Sequence, residues 1–253
     1  ENGVTFVKQN TGKLTVNGSF VTDTLRVEGG SLALNGEGNS FNHVELAGAE
    51  EGGVLDINRN TVMGDLTDSG EGAALNIGSG ASLSVNGASS LSSSTIQGSG
   101  TLTLRDTLEI SGTASLQGGV LLDLAKDDDS TGTLDLGSTS GSTVSGIGGE
   151  GTLKSAGGVL TVNTGNSGGG SVFSGTLEGR GQLNISGNAG QTFENVMTAA
   201  GSSWAVNSTG LLSIRMGGTV DSPRANTALT LSSLTLGDGS STNLTFNTDY
   251  AGP

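Results

Sequence analysis

Residues able to do chemistry are sparse in this chain. The single histidine, His43, stands in Phe41-Asn42-His43-Val44-Glu45, and there is no cysteine. A histidine acting as a general base needs a nucleophile beside it and an acid to orient it. The best nucleophile candidate, Ser167, lies in the glycine-rich run Gly165-Asn166-Ser167-Gly168-Gly169, and no G-x-S-x-G elbow exists. Asp56, Asp123 and Asp135 each sit between apolar residues, so each alternates to the outside of a strand. Acid/base or lyase chemistry on a polysaccharide needs such acids clustered on one face with cations. Their separations of 67 and 12 residues do not stack them in an obvious way. The densest charge run, Asp127-Asp128-Asp129, offers oxygen atoms suited to Ca²⁺, but it lacks the spaced D-x-[DN]-x-[DN]-G pattern. It reads as a solvated corner loop. No catalytic, cofactor or metal site is expected.

What remains is a set of short hydrogen-bonding side chains that recur in similar settings. Thr15, Asn17, Asn35, Ser84, Asn86, Thr103, Thr161, Asn163 and Asn184 are expected to point outward and to form ladders. Stacked amides bond to one another, and outward ones can also bond a second copy of the same surface. Together with Asp127, Asp128 and Asp129 these residues form the candidate interaction surface.

The elements that must position them are very short strands. Leu14-Thr15-Val16-Asn17-Gly18 is an apolar-polar-apolar triplet closed by Asn and Gly. It returns as Leu32-Ala33-Leu34-Asn35-Gly36 and Leu83-Ser84-Val85-Asn86-Gly87, and more loosely as Leu108-Glu109-Ile110-Ser111-Gly112 and Leu183-Asn184-Ile185-Ser186-Gly187. Period-two apolarity gives each triplet one buried face, and Asn-Gly turns the chain because both residues tolerate positive φ. One triplet holds nothing together; stacked copies do. Triplets starting at Leu14, Leu32, Leu55 and Leu75 form one series, Leu25 and Val44 a second, and Leu134, Leu160, Leu183, Trp204 and Leu229 a third. A repeat of about 20–25 residues with two or three short strands predicts an all-β right-handed parallel β-helix. Roughly eleven coils would make a rod about 50 Å long.

Bulk composition agrees. The chain has 46 glycines in 253 residues, far above the typical ~7%, without a collagen period. Net charge is −14, which repels phosphate backbones and argues against nucleic acid as a partner. No apolar run approaches the ~20 residues of a membrane-spanning helix. Corner loops are expected at 36–40, 69–72, 126–132 and 164–171. Residues 1–190 read as β-helix coils. Residues 191–253 read as further coils with a capping or autochaperone-like subregion, since they hold the only Trp, the only Tyr and both prolines. Within 191–200, Phe193, Val196, Met197 and Ala200 fall at helical spacing, so either one short helix or a bulged corner is expected there. Glu1-Asn2-Gly3 and Gly252-Pro253 read as cuts inside a larger protein.

Taken with the absence of Cys and the scarcity of aromatics, these L-x-V-N-G triplets resemble the passenger domains of bacterial autotransporters, the type V secretion group that includes AIDA-type and antigen 43-like adhesins. Val172-Phe173-Ser174-Gly175-Thr176-Leu177, leading into Gly181-Gln182-Leu183-Asn184-Ile185-Ser186-Gly187, looks like a passenger-associated repeat. Ser203-Trp204-Ala205-Val206-Asn207 and Leu234-Thr235-Leu236-Gly237-Asp238-Gly239 look like the region preceding the membrane barrel. The resemblance implies a non-enzymatic rod displayed on the surface of a Gram-negative bacterium. Its partners would be a second copy on another cell, or a host surface glycan or matrix protein, with its own outer-membrane β-barrel lying outside this chain. Some autotransporters carry trypsin-like proteases, whose G-D-S-G-G is approached by residues 165–169. Here Asn166 replaces Asp, and nothing around His43 matches that family. The alternatives are a passive stalk for a functional head and a polysaccharide-active β-helix enzyme.

Overall fold

A computed structural model of the protein describes residues 3–48, 52–165, 170–215 and 229–237, and the backbone of 244–247. All secondary structure among them is β, with no helix, and the strands pair in parallel. The chain winds as a β-solenoid of about ten turns, a parallel β-helix.

Each turn visits three faces. Face 1 begins with Lys13–Val16, Gly30–Leu34, Gly53–Ile57, Ala74–Ile77, Thr95–Gly98 and Ser115–Gly118, which form a six-stranded parallel sheet. Register places Leu14, Leu32, Leu55, Leu75, Ile96 and Leu116 in one column. The first series read from the sequence is therefore a true column. Ser140–Val144 comes next, with the Leu116 N–H donating to Ser142 Oγ at 3.2 Å. The column then runs on through Leu160, Leu183, Val206 and Leu234. Face 2 carries the column Phe41, Met63, Val85, Leu104, Leu124 and, beyond Gly149, Phe173, Phe193 and Ile214. Face 3 carries Phe6, Leu25, Val44 and Leu66, then Leu108, Leu134, Leu153 and Leu177. Long strands such as Val21–Val27 and Asn39–Ala47 pass from face 2 to face 3 without a break.

The core is thus three apolar columns meeting on the axis. Nearly every inward Leu, Ile and Val is fully buried. At about 25 cal/mol per Å² of apolar area removed from water, each buried side chain contributes roughly 1.5–3 kcal/mol. Together with the backbone ladders between coils, this offsets the entropy of ordering so many glycines. Aromatics close the N-terminal end: Phe20 stands edge-on between Phe6 and Phe41, with ring centroids 5.0 and 5.5 Å away. Lys8, 7% exposed, ends the face 3 strand and donates at 2.8 Å to the carbonyls of Gln9, Asn10 and Gly29. Leu14 keeps the inward register but is 37% exposed, because its strand is the outermost of its sheet and only Leu32 stacks on it.

One alternative is decided and one expectation is corrected. Residues 191–200 follow the corner reading and form no helix: Gln191–Glu194 is a strand, Asn195 turns the corner at φ 53°, and Met197–Thr198 starts the next face. Phe193 is buried opposite Phe173, whereas Met197 is 40% exposed, so the i, i+4 pair faces different ways. In the third series Trp204 pairs with Gly181, and Val206 is the residue opposite Leu183. Leu134 belongs to face 3 and Leu160 to face 1. Parallel pairing joins Ser171–Phe173 to Gln191–Glu194 and that strand to Leu212–Arg215.

Candidate interaction surface

The outward polar residues fall into rows because the inward ones do. Adjacent strands lie about 4.8 Å apart, so equivalent side chains in successive coils are within hydrogen-bonding reach. At the corner after face 1, Asn35 Nδ2 donates to Asn17 Oδ1 at 3.1 Å, and Asn58 Nδ2 donates to Asn35 Oδ1 at 2.8 Å. On face 1 itself the outward row reads Thr15, Ala33, Asp56, Asn76, Gln97 and Gln117. Asn76 Nδ2 donates to Asp56 Oδ1, and Gln97 Nε2 donates to Asn76 Oδ1, both at 2.7 Å. Farther along, the row is Thr143, Thr161, Asn184 and Asn207, with Asn207 Nδ2 donating to Asn184 Oδ1 at 3.2 Å.

Face 2 carries a different row: Ser84, Thr103 and Asp123, in which Thr103 Oγ1 donates to Asp123 Oδ2 at 3.3 Å. The Ser84 hydroxyl donates to Asn86 Oδ1 at 2.8 Å. Face 3 is charged. Arg26 pairs with Glu28 and Glu45, and Lys154 with Asp135 at 2.9 Å, which raises the Lys154 pKa above its ordinary value. The predicted residues therefore do not form one continuous row. Thr15, Thr161 and Asn184 lie on face 1, with Asn17, Asn35 and Asn163 at its following corner, while Ser84, Thr103 and Asn86 belong to face 2 and its corner. Asp56, Asp123 and Asp135 stand one on each face.

His43 pairs with Asp65, the next residue in its row, in a half-buried contact on face 3. Ser167 lies outside the described residues. Asp127, Asp128 and Asp129 stand in an exposed loop closed by the antiparallel bridge of Lys126 with Thr131. Asp127 Oδ1 accepts from the Ser130 hydroxyl at 2.7 Å and from the Ser130 N–H at 2.9 Å, while Oδ2 meets Arg105 Nη1 at 2.9 Å. These contacts, the Ser130 hydroxyl first, hold its carboxyl below the usual range. Asp127 thus shapes its own loop. No cluster of three or more metal-binding side chains occurs among the described residues.

Two features escaped sequence reasoning. Asp68 sits at the end of a face 3 strand, where its carboxylate accepts backbone N–H bonds from Ser92, Ser93 and Ser94 at 2.8–3.1 Å. Burial pushes its pKa up, but these bonds outweigh burial and hold it below 3.8. The run Ser92-Ser93-Ser94 looks like bland linker in the sequence, and nothing there signals an acid 24 residues away. The second feature is the amide row Asn76, Gln97 and Gln117. Its signal was present, since Asn76 stands between Leu75 and Ile77 and Gln97 follows Ile96, but Gln does not belong to the L-x-V-N-G pattern.

No protein-family model, no curated protein and no solved structure matches this chain. Among the described residues no helix is long and apolar enough to cross a membrane.

Proposed function

We propose that this protein is a non-enzymatic adhesion rod, an autotransporter-type passenger held outside a Gram-negative cell, where it associates side by side with a second copy. The observation that carries this reading is the repetition of short, uncharged hydrogen-bonding side chains along the rod. Thr143, Thr161, Asn184 and Asn207 occupy the same outward position in four successive coils. Each rung offers a partner the groups its neighbour leaves unused. A net hydrogen bond contributes only about 0.5–1.5 kcal/mol, so adhesion of this kind depends on many rungs acting together. The sequence resemblance to AIDA-type and antigen 43-like adhesins supports export, surface display and attachment to an outer-membrane β-barrel of its own.

The test is a settling assay on non-clumping bacteria displaying the passenger. Wild type should clump, single alanine substitutions should clump almost as well, and the quadruple change of Thr143, Thr161, Asn184 and Asn207 to Ala should abolish settling with display intact. Display without settling at any salt concentration would favour a passive stalk. Clumping by the quadruple variant would move the contact to another face.

A further inference from the structure

The corner ladder of asparagines stops at Asn58. In the next three coils the same corner position is held by Gly78, Ser99 and Gly119, as the backbone bonds to Ile57, Ile77 and Gly98 establish. Two of these positions lose the side chain and the third keeps only a hydroxymethyl group, and a trough of about 440 Å³ lies along the rod there. Asn58 closes one end, the amides of Asn76, Gln97 and Gln117 form a wall, and the backbone of Gly98 and Gly118 lies along the floor. The glycines are required there. Gly98 and Gly118 have φ of 127° and 77°, and a Cβ on Gly98 would lie 2.1 Å from the Ile77 carbonyl oxygen.

From this trough we infer a binding site for an uncharged polysaccharide chain lying along the rod axis. The wall is built of groups that both donate and accept. Gln97 Nε2 uses one hydrogen on Asn76, and Gln117 Nε2 uses one on Ser115 Oγ. Each amide retains a second N–H. Among the described residues the two Gln carbonyl oxygens accept no bond, and both are free to take a sugar hydroxyl. The rungs recur about every 4.8 Å, close to the length of one pyranose ring, so each coil meets one sugar. An extended peptide fits less well: the strands flanking the trough already pair with their neighbouring coils, so no free edge invites β-augmentation. An anionic polysaccharide would meet a chain of net charge −14 and Asp56 at the end of the row. The lining holds no aromatic ring, so a single trough binds weakly and a displayed array binds through multivalency.

This inference stands apart from self-association, which was placed on the C-terminal half of face 1. The experiment is affinity electrophoresis of the purified protein through gels containing galactomannan, a mixed-linkage β-glucan or dextran, with heparin as the anionic control. Wild type should be retarded by at least one neutral polymer, equally at low and high salt, and not by heparin. The double variant Gln97→Ala/Gln117→Ala should weaken retention at least tenfold, and Ser99→Trp, which fills the trough from an exposed position, should abolish it. Thr103→Ala on face 2 should change nothing, and all four proteins should settle alike when displayed. Retention by heparin alone, retention by no neutral polymer, or retention untouched by the trough variants would overturn the assignment.

Discussion

At the scale of single residues, position in a column decides what a substitution does. Leu83 is fully buried between Thr61 and Leu102 of the neighbouring coils. Replacing it by Asp buries a charge with no cation opposite, a change that costs about 3–5 kcal/mol. Thermal or urea unfolding should show Leu83→Asp markedly destabilised; a wild-type midpoint would refute the inward assignment. Asp68 behaves in the opposite sense, as a carboxylate favoured by its surroundings. Its folded pKa lies below the ordinary 3.8, so its contribution is fully present above that value and is lost as pH falls through the lower folded value. Asp68→Asn should therefore melt below wild type at neutral pH, and the gap should close at pH below about 3.8. A gap unchanged across the titration would show that the three N–H bonds do not favour the charged form.

Elements in this molecule are too short to be stable alone, and the corners carry as much information as the strands. Gly181 illustrates this. It needs no unusual φ, yet an added Cβ would lie 2.6 Å from the ring of Trp204, the residue opposite it in the next coil. The glycine makes room for a fully buried indole whose Nε1 donates to the Glu178 carbonyl at 3.2 Å. Gly181→Val should overpack this layer and cost about 1–3 kcal/mol, with a shift in Trp204 fluorescence. A variant with wild-type stability and emission would mean that the layer has slack. Gln191 makes a similar point from a polar side. Between Gly146–Gly149 and Ser171–Phe173 only Gly149 and Phe173 are in register, and the buried Gln191 amide fills the gap. Its Oε1 accepts from the Ile147 N–H at 3.0 Å and its Nε2 donates to the Ile147 carbonyl at 2.9 Å. Far-UV circular dichroism should accordingly show β-structure throughout, with helix well below a fifth of the chain.

For the whole molecule, the deciding quantities are length and charge. A net charge of −14 spread along a rod makes parallel copies repel. Screening shortens that repulsion to about 10 Å at 0.1 M salt, while the hydrogen bonds of the polar rows are short-ranged and survive. Clumping should therefore strengthen from roughly 0.01 to 0.1 M salt, measured as settling rate. Clumping that weakens over this range would indicate opposite-charge pairing, with face 3 the natural place for it.

The sequence by itself determined the repeat, the all-β class and the first inward column. Apolar residues at period two in short triplets cannot be buried any other way, and Leu14, Leu32, Leu55 and Leu75 prove to be true neighbours. It also marked Thr15, Asn17, Asn35 and the rest as outward. What it left open is which outward residues share a face, because coil length varies. Leu14 and Leu32 are 18 apart and Leu32 and Leu55 are 23 apart, so a few inserted corner residues change the count without changing the column. Only the tertiary structure sorted the candidates into separate rows on faces 1 and 2, turned the helical spacing at Phe193 and Met197 into a corner, and brought Asp68 onto Ser92, Ser93 and Ser94. Each depends on register between coils about twenty residues apart, and register is set by packing the columns together, a property that no single triplet carries.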